Sequence, residues 1–330
     1  MREIFGTNQV IEDTRAIALS RTRDGKKPGL NWALTLLIGV IVLLGANFVS
    51  LFIPIGFVII DAARSGEEVT FTLADMNSDS PVFVLGALWS EIFVIAAFLI
   101  YARINEMRKP KTLGYIKKGS VLQYLIGAIA GAGTFSIALL ISYALKAVTI
   151  THSGNINIVT LLAFTGGWMI QGMAEEVTCR GFLLTSLSRR YSVTFAVITS
   201  SLVFAALHLG NPGVTPLALI NLFLFGIFAA MMFIKTNNIW VCSAFHSFWN
   251  LVQGNIYGIS VSGNDEMPTI IRSTLVEGKD IINGGAFGSE GGISVSIVMV
   301  IGCLILYFMI RKDMSLTANT DEVIKEADLT

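Results

Sequence analysis

The sequence predicts an all-α protein, a polytopic membrane bundle of about eight helices, and three observations carry that reading. Only 14% of the 330 residues are charged and 53% are hydrophobic, against roughly a quarter charged in a water-soluble domain. Mean hydropathy is +0.69. The apolar residues gather in long charge-free runs, each able to supply the roughly 20 residues that cross a bilayer as a helix. Net charge is zero, so the basic footprint of a nucleic-acid binder is missing. Cys179, Cys242 and Cys303 lie inside apolar runs, which suits neither a disulfide framework nor zinc-ribbon spacing. Met1 to Lys27 is too long and too charged for the front of a cleavable signal peptide.

The expected spans follow from the runs. Pro28 to Ile60 is 33 residues without a charge, and Pro81 to Ala102 is interrupted only by Glu91. Leu122 to Leu145 carries Gly127, Gly131 and Gly133 at a spacing that admits a close helix neighbour. A fourth span, about Ile156 to Leu187, contains Glu175, Glu176 and Arg180. Tyr191 to Ile234 is charge-free and long enough for two spans, with the break at His208 to Gly213. The last two are Ile239 to Tyr257 and Gly292 to Ile310.

Charge distribution orients the bundle, because Lys and Arg concentrate on the cytoplasmic side of a membrane protein. With eight spans, 18 basic residues fall on one side, four on the other, and Arg180 within the membrane. Both termini are therefore expected to be cytoplasmic. The chain divides into a cytoplasmic tail (1–29), the first two spans with a basic loop (30–120), a core (121–257), and an outer Gly-rich loop with the last span and tail (258–330). The outer stretches Asp61 to Ser80 and Gly258 to Gly291 read as connectors, the Gly-rich one more a flexible linker than a lid.

Ionisable groups at membrane depth mark functional sites by default, at about 2.5–3.5 kcal/mol each on the insertion scale if unpaired. Glu176 and Arg180 are four residues apart and share a helix face, so they can pair. Glu175 points about 100° away and has no cation at helical spacing. His208 follows Phe204 by one turn, and Asn250 follows His246 by one turn. His152 lies in a polar stretch and reads as a bystander, and Trp168, Trp240 and Trp249 as packing residues.

Taken in order, Glu175-Glu176-x-x-x-Arg180, Phe204-x-x-x-His208 and His246-x-x-x-Asn250 resemble the CPBP family, the CAAX prenyl protease type II and bacteriocin-processing or Abi intramembrane proteases. The resemblance covers about Leu122 to Tyr257, and the Gly-rich segment Gly284 to Gly292 is similar to one in bacterial members. It implies an intramembrane endopeptidase, with Glu175, His208, His246 and Asn250 catalytic and Glu176, Arg180 and Phe204 supporting them. The implied partners are a lipid bilayer and a peptide, prenylated or membrane-anchored substrate. The implied location is the bacterial plasma membrane.

Peptide hydrolysis needs an activated water, a stabilised oxyanion and a proton for the leaving amine. Glu175 is the candidate general base, His208 can share its water, and His246 with Asn250 can aim donors at the oxyanion. Two histidines and a carboxylate also form a zinc ligand set, which leaves two options: no cofactor, or zinc held by Glu175, His208 and His246. The His-Glu-x-x-His helix of soluble zinc proteases is absent. A proton-coupled transporter and a non-catalytic immunity or scaffold protein are the alternative functions. Reckoned from span ends, Glu175 sits at mid-membrane, His208 toward the outer end and His246 nearer the inner end. They meet only if helices tilt, start late or stop short around a polar cavity. Glu91 is expected to pair with Arg180 or Lys146, or to face that cavity.

Overall fold

The computed structural model describes residues 4–22, 26–65, 80–152, 157–263 and 267–327. Most of the outer stretch Asp61 to Ser80 lies outside them, as does the side chain of His152. The protein is mostly helical. Five helices are long and apolar enough to cross a membrane: Trp32–Arg64, Pro81–Ile104, Ser120–Ala144, Pro216–Thr236 and Ile293–Ser315, with Val193–Ala206 a shorter apolar one. The helices bearing Glu175 and His246 are not among the five, because their polar motif residues dilute the apolar run.

The N-terminal tail is not a loose appendage. Asn8 caps helix α1 (Gln9–Leu19), whose Val10 and Ile11 are buried. The Nδ2 of Asn8 donates to the Phe233 carbonyl at 2.9 Å. The amide of Val10 donates to Asn237 Oδ1 at 2.8 Å. The first long run is two helices, α2 (Trp32–Ser50) and α3 (Phe52–Ser65), and the second is also two, α4 (Pro81–Ser90) and α5 (Ile92–Ile104). Their breaks meet, and Ser50 Oγ donates to the Ser90 carbonyl at 3.0 Å. Phe48 and Leu44 on α2 and Ile129 on α6 (Ser120–Ala144) are more than half exposed, the apolar surface a membrane protein presents to lipid.

Among the described residues the fold departs from all-α in a two-stranded ribbon. Strand β1 (Val148–His152) pairs antiparallel with β2 (Ile271–Leu275), Val148 opposite Leu275. The alternation of β-branched Val148, Thr149, Ile150 and Thr151 suits a pleated ribbon better than a helix end.

The motif helices are α7 (Ile158–Glu176), continued through π-helical turns Val177–Leu184 into α8 (Thr185–Ser188), then α9 (Val193–Ala206) and α11 (Ile239–Leu251). The π-helical turns Val252–Ile256 continue α11. Between α9 and α11 runs α10 (Pro216–Thr236), opened by the Thr215 cap with Pro at its first position. The short helix α12 (Asp280–Asn283) precedes α13 (Ile293–Ala327).

Helix α6 lies against α11 because two of its glycines permit it. A Cβ on Gly127 would collide with the Val241 carbonyl, and one on Gly131 with the Phe245 carbonyl, whereas Gly133 faces open space. Gly131→Ala is therefore expected to push α6 from the helix bearing His246 and destabilise the fold by about 1–3 kcal/mol. Denaturant titration in detergent checks this, with Gly133→Ala as the neutral control.

The Gly-rich outer segment is a built element rather than a flexible linker. The buried Glu290 carboxylate accepts from the Ser262 amide (2.6 Å), Ser262 Oγ (2.9 Å) and Gln253 Nε2 (3.2 Å). Asn221 Nδ2 donates to the carbonyls of Glu290 (2.7 Å) and Gly292 (2.9 Å). Gly288 has φ of 90°, and a side chain there would strike the Ser260 carbonyl, so only glycine serves. Burial raises the pKa of the Glu290 carboxyl, against hydrogen bonds from Ser262 that pull it down.

Candidate active site

Each motif side chain is held by its own helix and by one neighbour. Glu176 is fully buried, and its Oε1 accepts from Arg180 Nη1 at 2.8 Å and faces His246 Nδ1 at 3.0 Å. Arg180 also donates from Nη2 to the Gly226 carbonyl at 2.9 Å, and its guanidinium lies 5.0 Å from the centre of the Phe204 ring. The expected pair Glu176–Arg180 is thus present and is extended to His246. A carboxylate oxygen can only accept, so the proton between Glu176 and His246 belongs to the imidazole Nδ1. That fixes the ring, and its other face meets Phe225 edge-on at 4.9 Å.

Glu175 turns the other way. Its Oε1 accepts from Gln171 Nε2 at 2.6 Å. Its Oε2 makes no hydrogen bond among the described residues and stands 3.6 Å from His246 Nε2, too far for a hydrogen bond. Gln171 is the residue that sequence reading passed over. It lies one turn before Glu175, and its Oε1 accepts from Asn250 Nδ2 at 3.1 Å, so a single amide joins the first motif to the third.

His208 follows the end of α9, its Nδ1 2.8 Å from the Phe204 carbonyl. A carbonyl only accepts, so Nδ1 carries the proton, and in the neutral ring Nε2 is the bare acceptor. Glu175, His208, Phe204 and Glu91 line one cavity of about 280 Å³. His246 and Asn250 stand behind it, reaching Glu175 directly and through Gln171.

Helix α9 stops after 14 residues, well short of a full crossing. Helix α11 begins against the segment around Gly114: the amide of Ile239 donates to the Gly114 carbonyl at 2.9 Å, and Asn238 Nδ2 donates to the Ile116 carbonyl at 3.1 Å. Glu91 pairs with neither Arg180 nor Lys146. It sits at the break between α4 and α5 and faces the cavity, the third of its expected options. A second, apolar cavity of about 260 Å³ shares Leu43, Thr178 and Leu207 with the first.

The residues named for zinc do not form a ligand cluster in this arrangement. Among the described residues, no group of three His, Cys, Asp or Glu side chains could hold a metal ion. The Nδ1 atoms of both histidines are engaged with Phe204 and Glu176, which leaves Nε2 as the uncommitted nitrogen of each ring.

Among curated proteins no match to the chain is found. Residues 156–252, which contain all three motifs, match the family model for type II CAAX prenyl endopeptidase, Rce1-like. Over that segment the chain is similar to the type II CAAX prenyl endopeptidases, in keeping with its resemblance to the CPBP intramembrane proteases.

Proposed function

We propose that the chain is an intramembrane endopeptidase that hydrolyses a peptide bond with water activated by Glu175 and His208. The observation that carries the reading is one cavity lined by both side chains. Water donates to the Glu175 carboxylate and to the bare Nε2 of His208. As its oxygen attacks the scissile carbonyl, Glu175 takes the proton. His246, as an imidazolium between the Glu175 and Glu176 carboxylates, donates from Nε2, and Asn250 donates its second Nδ2 hydrogen, to the charge that develops on the carbonyl oxygen. Collapse of the tetrahedral intermediate breaks the C–N bond, and Glu175 returns its proton to the leaving amine. The pair Glu176–Arg180 orients His246 and is not itself a reactant. The apolar cavity beside the site suits apolar substrate residues or a lipid chain. On this reading the protein crosses the bacterial plasma membrane eight times with both termini cytoplasmic, as the basic residues favour.

The test is peptide cleavage by the full chain in membranes. His208→Ala and His246→Ala are each expected to lower the rate by about 10²–10⁴-fold while the protein stays folded by thermal unfolding. Activity should survive exhaustive chelation. Normal cleavage by both variants would overturn the reading, and loss on chelation restored by zinc would overturn its metal-free form. Proton flux coupled to a solute and persisting in Glu175→Gln would favour a transporter instead.

A further inference from the structure

The reacting cavity holds a second carboxylate that hydrolysis does not use. Glu91 comes from the break between α4 and α5, outside the segment matched to the family, and faces the same space as Glu175. Among the described residues its carboxylate makes neither a hydrogen bond nor an ion pair. Arg180, the cation within these helices, is already engaged by Glu176, the Gly226 carbonyl and the Phe204 ring.

The other polar side chains around the cavity turn their donors away from it. Asn47 Nδ2 donates to the Leu43 carbonyl at 2.9 Å. Asn211 Nδ2 donates to the Ser262 carbonyl at 2.8 Å, inside the knot built on Glu290. Thr178 Oγ1 donates to the Ala174 carbonyl at 2.8 Å, and His208 Nδ1 to that of Phe204. Each amide spends one of its two Nδ2 hydrogens in this way, so the groups left to meet a ligand are weighted toward acceptors: two carboxylates, two amide oxygens and an imidazole nitrogen. Two carboxylates sharing a site of low dielectric repel each other, and buried charge demands a partner. The chemical complement of such a lining is a cation rich in N–H donors.

We propose that the cavity selects a substrate carrying a Lys or Arg side chain beside the scissile bond, and that Glu91 is the carboxylate that receives it. This rests on the endopeptidase reading and adds the substrate class. An ammonium or guanidinium group there pairs with Glu91 and takes up the oxygens of Asn47 and Asn211. Glu175 is then left to its water.

The experiment uses the purified full chain in phosphatidylcholine nanodiscs and matched quenched peptides with Lys, Arg, norleucine or Glu beside the cleaved bond. Wild type should show kcat/KM at least about tenfold higher for the Lys and Arg peptides than for norleucine. In Glu91→Gln that ratio should fall toward one through a higher KM for the basic peptides, and Glu91→Lys should turn the preference toward the Glu peptide. No preference in wild type, or a ratio unchanged in Glu91→Gln, overturns the proposal. So does a fall in kcat of the same size on all peptides. Peptide binding to Glu175→Gln, with and without Glu91→Gln, reads the subsite without turnover. A Lys preference in binding that depends on Glu91, with no cleavage of any peptide by wild type, would sink the protease reading and leave the cation site standing.

Discussion

Glu175→Gln is expected to abolish turnover, lowering kcat by about 10²–10⁴-fold, while the fold and peptide affinity persist. The substitution is nearly isosteric, and the new side chain still offers an oxygen to Gln171 Nε2, the partner 2.6 Å from Glu175 Oε1. What disappears is the capacity of the carboxylate to accept a proton from water. Glu175→Asp keeps the carboxylate but withdraws it by one methylene from Gln171 and from the cavity. It should retain a small, measurable rate. Single-turnover cleavage of a quenched peptide in nanodiscs separates the two, and equal activity in wild type and Glu175→Gln would remove the general base from the mechanism.

The second large effect falls on stability. Arg180→Met leaves the fully buried Glu176 carboxylate without its guanidinium. Breaking one side of such a pair costs about 3–5 kcal/mol. Arg180→Lys should recover little, because a point ammonium cannot serve Glu176, the Gly226 carbonyl and the face of Phe204 together. The double variant Glu176→Gln/Arg180→Met removes both charges and should regain much of the lost stability. It should stay poorly active, since His246 Nδ1 loses the carboxylate 3.0 Å away that sets its orientation. Equilibrium unfolding in detergent reads the first quantity and peptide cleavage the second. Full activity in the stable double variant would show that the ion pair does not position His246.

The sequence displayed the motif helices and the Glu176–Arg180 pair because both are local: four residues on one helix meet without help from the fold. All three motifs fall inside residues 156–252, whereas the resemblance was read from about Leu122, so the stretch 122–155 lies outside the match. Gln171 escaped notice although it lies one turn from Glu175, because a single amide in an apolar helix carries no charge to flag it. The destination of Glu91 depends on a contact with residues more than 80 positions away, and no periodicity encodes that. The N-terminal stretch was read only as a charged tail, yet Val10 and Ile11 are buried and α1 is fastened to Phe233 and Asn237. The β ribbon was hidden for a related reason: its two strands are separated by the whole motif region, so neither stretch shows its partner.

The knot at Glu290 bears on what can be moved between proteins. Gln253 reaches the Glu290 carboxylate from immediately past the matched segment, and Asn211, three residues after His208, is tied to Ser262 in the same cluster. A graft of residues 156–252 into another scaffold would carry every motif letter and yet leave the turn after His208 and the end of α11 without their common anchor. The smallest transferable catalytic module in this chain is therefore discontinuous, and it must bring the segment around Ser262 and Glu290 with it.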